Sequence, residues 1–147
     1  MDFCVADAAI VHIEAIEELE KQCFSQPWTR AQLLSQLPDE RHEFLAALHE
    51  GRPVGYVGMM CVLDEGYIAN VAVSPDWRRQ GIGDALIAEL LRRAVSRELA
   101  FVTLEVRAGN EAAKALYAKH GFVPVGLRKK YYASPTEDAV LMTKFLK

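Results

Sequence analysis

The stretch from Tyr67 to Leu91 limits the choice of fold more than any other part of the chain. An apolar β-type run, Tyr67 to Val73, gives way to apolar residues at helical spacing, Ile82, Leu86, Ile87, Leu90 and Leu91. A strand therefore hands over to a helix. The turn between them holds Pro75, Trp77, Arg78, Arg79 and Gln80, then two glycines, Gly81 and Gly83, flanking Ile82. Such a backbone can bend tightly and bring several N–H groups close to a ligand. A helix N-terminus adds unpaired donors and partial positive charge, and the arginines add more. Arg79 to Asp84 thus reads as an anion cradle, most naturally for a pyrophosphate. Two familiar phosphate motifs do not fit: a dinucleotide fingerprint needs a third glycine where Leu86 stands, and a P-loop needs Lys-Ser/Thr where Asp84 follows Gly83.

A second unit of the same kind follows. Phe101 to Val106 reads as a strand, Arg107-Ala108-Gly109 as a loop, and Asn110 as the N-cap of a helix from Glu111 to His120, stopped by Gly121 with Phe122 placed for the closing apolar contact. Two such units in succession place their strands side by side and parallel. Upstream, a short strand around Phe3 to Val5 precedes a helix carrying Ile10, Ile13, Ile16, Leu19 and Cys23, with Glu14, Glu17, Glu18, Glu20 and Lys21 on its other face. Phe24 to Trp28 breaks that helix. Thr29 with Gln32 forms a capping box for the next one, flanked by a Trp28 to Leu33 staple, and Pro38 ends it. Phe44 to His49 and Val54 to Leu63 form a hairpin across Glu50 to Pro53, and Asp64-Glu65-Gly66 leads into Tyr67 to Val73, apolar on both faces like a covered central strand. Val123 to Leu127 with Lys130 to Tyr132, and Ala139 to Phe145, supply the last two strands. The expected fold is α/β: a mixed sheet, antiparallel at first and parallel in the middle, with about four helices.

A chain of 147 residues with 51% hydrophobic content has enough apolar surface for the core of one domain, and a net charge of −3 gives no footprint for nucleic acid. Cys4, Cys23 and Cys61 lack disulfide or zinc spacing, and His12, His42, His49 and His120 lack metal-ligand spacing. No metal site is expected. With no apolar run of membrane length, no secretory pattern from Met1-Asp2-Phe3 and no disulfide spacing, the reading is a cytoplasmic protein without membrane or nucleic-acid partners. A monomer is the expectation, and no residue pattern fixes the oligomeric state.

Arg78-x-x-Gly81-x-Gly83 between strand and helix resembles the acetyl-CoA-binding signature of the Gcn5-related N-acetyltransferases. Acyl transfer from a thioester to an amine needs a held cofactor, a neutral amine, a polarised carbonyl and a proton for the thiolate. With phosphates on Arg79 to Asp84, the pantetheine arm could hydrogen-bond the backbone of Val71, Ala72 and Val73 where the parallel strands diverge, one N–H there polarising the carbonyl. Glu105, charged within an apolar strand, reads either as an exposed or paired structural carboxylate or as a general base. Tyr117 reads either as packing or as a phenol that stays protonated at pH 7 and donates to the departing thiolate. Asn110 is placed to hold the pantetheine amides as well as to cap its helix.

The resemblance narrows with Ile68 to Val73, Arg78 to Gly83, Leu104-Glu105-Val106-Arg107, Asn110 to Ala113, Leu116-Tyr117, Gly121-Phe122, Tyr131-Tyr132 and Glu137-Asp138-Ala139, together with Cys23 to Thr29. These are similar to the bacterial RimI enzymes, ribosomal-protein-alanine N-acetyltransferases. That likeness implies acetyl-CoA as donor and the N-terminal peptide of the eighteenth small-subunit ribosomal protein as acceptor. It also implies Glu105 as proton acceptor, Tyr117 as proton donor, and a peptide groove walled by Phe24 and Trp28 on one side and Tyr131 and Tyr132 on the other. Gly109 stands where those enzymes commonly carry Ser. An α-amine of pKa near 7.8 is about one-seventh neutral at pH 7, against roughly one part in 2,500 for a lysine, which suits a single modest base. A lysine or small-molecule acceptor, or a catalytically silent CoA-binding module, are the competing readings.

Overall fold

The computed structural model describes residues 2–147; Met1, part of the N-terminal reading above, lies outside them. Seven strands, β1 (Cys4–Asp7), β2 (His42–His49), β3 (Arg52–Val62), β4 (Glu65–Val73), β5 (Phe101–Arg107), β6 (Val123–Tyr132) and β7 (Glu137–Phe145), form one sheet in the order β1-β2-β3-β4-β5-β7-β6. Only β4 and β5 pair in parallel. The helices are α1 (Ile13–Cys23), α2 (Arg30–Leu34), α3 (Ile82–Ser96) and α4 (Glu111–Lys119), with 3-10 turns at Ile10–His12 and Pro75–Trp77. Among the described residues no helix is long and apolar enough to cross a membrane.

Local signals set the helix ends. Thr29 Oγ1 accepts the Gln32 N–H at 3.2 Å, and the Gln32 side chain accepts the Thr29 N–H at 2.8 Å, a reciprocal box that starts α2. The helix ends at Leu34, four residues before Pro38, once Ser35 accepts the cap position. At the end of α4 the Phe122 N–H bonds the Tyr117 carbonyl and the Gly121 N–H bonds that of Ala118, both at 3.0 Å. The Phe122 and Tyr117 rings pack 5.8 Å apart, closing the motif with its apolar contact.

Two cores lie on opposite faces of the sheet. On one face α3 buries Ile82, Leu86, Ile87 and Leu90 against Leu45, Val57, Met59, Val102 and Leu104. On the other, α1 and α2 bury Ile13, Ile16, Leu19 and Leu33 against Phe44, Ala46 and Tyr56. Two sequence expectations change here. β4 is not covered on both faces throughout: Tyr67 is 38% exposed and Ala69 is exposed, while Ile68 between them is buried in the α3 core. Glu20, assigned above to the solvated face of α1, is instead fully buried.

Two irregularities in β4 shape the site. Across β3, Gly58 pairs with Asn70 and Met59 with Ile68, so Ala69 is an extra residue, a β-bulge that reverses which face the following side chains take. Ile68 and Val71 therefore join the same core, while Asn70 turns to the α1 side and donates to Glu20. Against β5, the ladder runs only through Glu65–Phe101, Gly66–Val102 and Tyr67–Thr103. Both strands continue beyond it unpaired with each other, leaving a V-shaped opening.

Candidate active site

One cavity of about 530 Å³ lies between the far end of β4, the N-terminus of α3 and α4. Val71 and Val73 form its β4 edge, and Arg78, Arg79, Gly81, Ile82, Gly83 and Asp84 wrap its end. Ala72 is buried in the opposite core, and Gln80 is exposed and outside the lining. Arg79 and Gly81 both have positive φ, 63° and 82°, the alternation that curls successive N–H groups around one concavity. Gly81 is the N-cap residue of α3 and provides no side-chain cap. The orphan N–H groups of the first turn are thus left for a ligand. Asp84, although in the lining, is held from α4 by Lys119 Nζ at 3.1 Å and His120 Nε2 at 3.0 Å. Hydrogen bonding from Lys119, then from His120, holds its carboxyl below the usual aspartate range.

A second cavity of about 340 Å³ opens between the α1–α2 loop and the β6–β7 hairpin. Phe24, Ser25, Gln26 and Trp28 line one wall, Arg107 and Tyr132 the other, and Asn70 part of the base. Tyr131 is outside this lining: it is 52% exposed, with its ring edge-on to Tyr132 at 5.0 Å and the Arg128 guanidinium 6.0 Å from its centroid. Arg107 fixes the hairpin. It donates to the carbonyls of Pro135 at 2.9 Å and Ala133 at 3.2 Å, pairs with Glu137 at 3.2 Å, and stacks 4.5 Å from the Tyr132 ring centroid. Glu137 also accepts the Gly109 N–H at 2.7 Å, and a Cβ on Gly109 would lie 2.8 Å from that same oxygen. The glycine is matched to this carboxylate.

Asn110 lines both cavities, one on each side of the V between β4 and β5. Its side chain accepts the Ala113 N–H at 3.1 Å and caps α4. Tyr117 lines the first cavity from the same helix, 7% exposed, with its hydroxyl in no hydrogen bond among the described residues. Burial, reinforced by Tyr132, pushes its phenol up to about 12. Tyr132 is likewise pushed up to about 12, by burial first and then by Tyr131 and Glu105. Glu105 lines neither of these two cavities; its side chain lies in a separate open groove with Tyr67, Thr103 and Arg128. Arg128 Nε stands 3.2 Å from Glu105 Oε1. Among the described residues no cluster of His, Cys, Asp or Glu could hold a metal.

Residues 13–122 match the model of the acetyltransferase (GNAT) family. The chain belongs to that family. Within GNAT proteins, it is 35% identical to the ribosomal protein bS18-alanine N-acetyltransferase of Escherichia coli (strain K12), over 88% of each chain. It is 32% identical to the enzyme of the same name from Haemophilus influenzae, over 90% of this chain and 92% of that one. The crystal structure of the Escherichia coli ribosomal-protein-S18-alanine N-acetyltransferase superposes with a TM-score of 0.92 at 31% identity, covering 99% of this chain and 95% of that one.

Sequence reading missed several lining residues of these two cavities. Trp77, Ala112, Ala113 and Leu116 complete the first cavity; the last three share a face of α4 with Tyr117, so helical spacing carried that signal. Cys23, Asn70 and Arg107 complete the second.

Proposed function

We propose that the chain is an acetyl-CoA-dependent Nα-acetyltransferase acting on the N-terminal alanine of ribosomal protein bS18, the substrate named for its relatives. The observation that carries this reading is the pair of cavities meeting at Asn110, one suited to an anionic cofactor and the other to an extended peptide. A Cβ on Gly81 would meet nothing within 4 Å, so the cradle is open, and Arg78 and Arg79 border it with positive charge.

Acetyl-CoA, when bound, supplies the thioester. Arg78, Arg79 and the N–H groups from Gly81 to Asp84 would hold its diphosphate, and the unpaired edge of Val71 to Val73 would hydrogen-bond its amide-bearing arm. The second cavity orients the peptide amine. Glu105 accepts the amine proton directly or through water, and Tyr117 donates its hydroxyl proton to the leaving sulfur. A phenol lifted by burial keeps that proton throughout the physiological range. The amine attacks the thioester carbon directly, and no cysteine nucleophile is required.

The test is acetylation of a peptide panel with purified protein: the bS18 N-terminus, other alanine-initiated peptides, blocked peptides with internal lysine, and polyamines. Preferred turnover of the bS18 peptide is expected. Acetylation confined to polyamines or blocked lysine peptides would refute the acceptor assignment. Glu105→Gln should keep CoA affinity and lower turnover about a hundredfold, on the scale of a lost general base.

A further inference from the structure

We propose that Glu20 is a positioning residue for the acceptor site: a buried carboxylate that fixes the α1–α2 wall against the floor of the peptide cavity. The inference rests on the acceptor reading above. Glu20 is fully buried within the core beneath that wall. Its Oε1 accepts the backbone N–H of Trp28 at 2.7 Å. Asn70 Nδ2, carried to this side by the bulge at Ala69, lies 3.4 and 3.3 Å from its two oxygens. The Tyr56 hydroxyl donates to Oε2.

The partners come from three separate places, the loop after α1, β3 and β4, and each offers a proton to the same group. A carboxylate with acceptor sites on both oxygens satisfies all three. An amide in its place would keep one accepting oxygen and turn an NH2 group toward a donor. Two of the partners, Trp28 and Asn70, line the second cavity, and none lines the first. Glu20 therefore controls where the acceptor's wall stands relative to its floor, while the cofactor cradle is built from other residues. A buried polar group that satisfies every partner gives one fixed geometry, and a site built this way loses acceptor affinity when the hub is mismatched.

Glu20→Gln should raise the KM for the bS18 peptide about tenfold, the scale of one charge-assisted hydrogen bond. Its kcat should change less than about threefold, with CoA affinity by calorimetry within about twofold of the parent. Tyr56→Phe, which removes one donor and leaves the carboxylate, should shift acceptor KM in the same direction by less. Glu18→Gln, on the exposed face of α1 beside Lys21, should leave all three quantities unchanged. Acceptor KM unchanged in Glu20→Gln, or CoA affinity falling in step with it, would overturn the assignment. A second readout does not depend on turnover. By amide hydrogen exchange, Trp28 should lose protection in Glu20→Gln while Gln32, held by Thr29, keeps it. Equal protection at Trp28 in variant and parent would overturn the proposal. A parent protein that acetylates no alanine-initiated peptide would refute the function proposed above, and the Trp28 exchange would still decide the role of Glu20.

Discussion

Gly81→Ala and Gly83→Ala separate two reasons for glycine in the cofactor cradle. Gly81 sits at φ 82° and ψ 8°, and a Cβ there meets nothing within 4 Å. The cost of Ala is therefore backbone strain alone. Left-handed conformation costs an L-residue about 1–2 kcal/mol, and the stiffer unfolded chain returns up to about 1 kcal/mol. A net loss of about 1 kcal/mol lowers the melting midpoint of a chain this long by roughly 2–4 °C. Gly83 is different. It lies in the first turn of α3 without positive φ, and its Cβ would approach Leu116 Cδ2 at 3.1 Å. Ala gains up to about 1 kcal/mol of helix propensity, and the flexible Leu116 end must give by a few tenths of an ångström, so stability stays within about 0.5 kcal/mol of the parent. Leu116 lines the cavity, so the same push narrows it. Thermal unfolding and CoA titration calorimetry on both variants read the two effects. Gly81→Ala should melt lower and bind CoA more weakly; Gly83→Ala should bind more weakly at nearly unchanged midpoint. A Gly81→Ala protein that melts at or above the parent would refute the strain argument.

Tyr117→Phe should bind CoA within about twofold of the parent and turn over about a hundredfold more slowly in steady-state assays. In the parent, kcat/KM should rise with pH as the acceptor amine deprotonates, without a fall below about pH 10, because the Tyr117 phenol is pushed up to about 12; a fall near pH 9 would contradict its role as donor. Asp84→Asn should destabilise the fold by roughly 0.5 kcal/mol, a value reduced for solvent screening since the side chain is 39% exposed. Its folded pKa is depressed from 3.8, so the deficit against the parent should be full above about pH 4 and shrink as pH falls and the parent's own carboxyl protonates, as followed by denaturant melts. Gly109→Ala should displace the Glu137 carboxylate, lower the melting midpoint and raise the acceptor KM more than it alters CoA affinity.

What could be read in the sequence, and what could not, divides along local and non-local physics. The α2 capping box, the α4 stop at Gly121 and the strand–turn–helix around Gly81 depend on neighbours in the chain, and their residue types declare them. The insertion of β7 between β5 and β6 depends on pairing partners far away, which spacing does not name. The placing of Ala72 and Asn70 fails for a sharper reason. Period-two alternation tells which residues share a face only while no residue is added, and the bulge at Ala69 exchanges the faces at its own position.

Two polar residues nevertheless stood at apolar positions in plain view. Glu20 follows Ile13 by seven residues and Ile16 by four, so helical spacing itself puts it on the buried stripe of α1. Asn70 interrupts the apolar run of β4. Taken singly, each looks like an exposed side chain that the pattern happened to tolerate. Glu20 is fully buried and Asn70 half-buried, and the Asn70 amide donates to the Glu20 carboxylate beside Trp28 and Tyr56, so each polar group meets a partner instead of bare apolar surface. A carboxylate on one apolar stripe and an amide on another are thus a signal for contact between the two elements. Here that contact joins α1 to the β4 bulge, beside the opening where the two cavities meet.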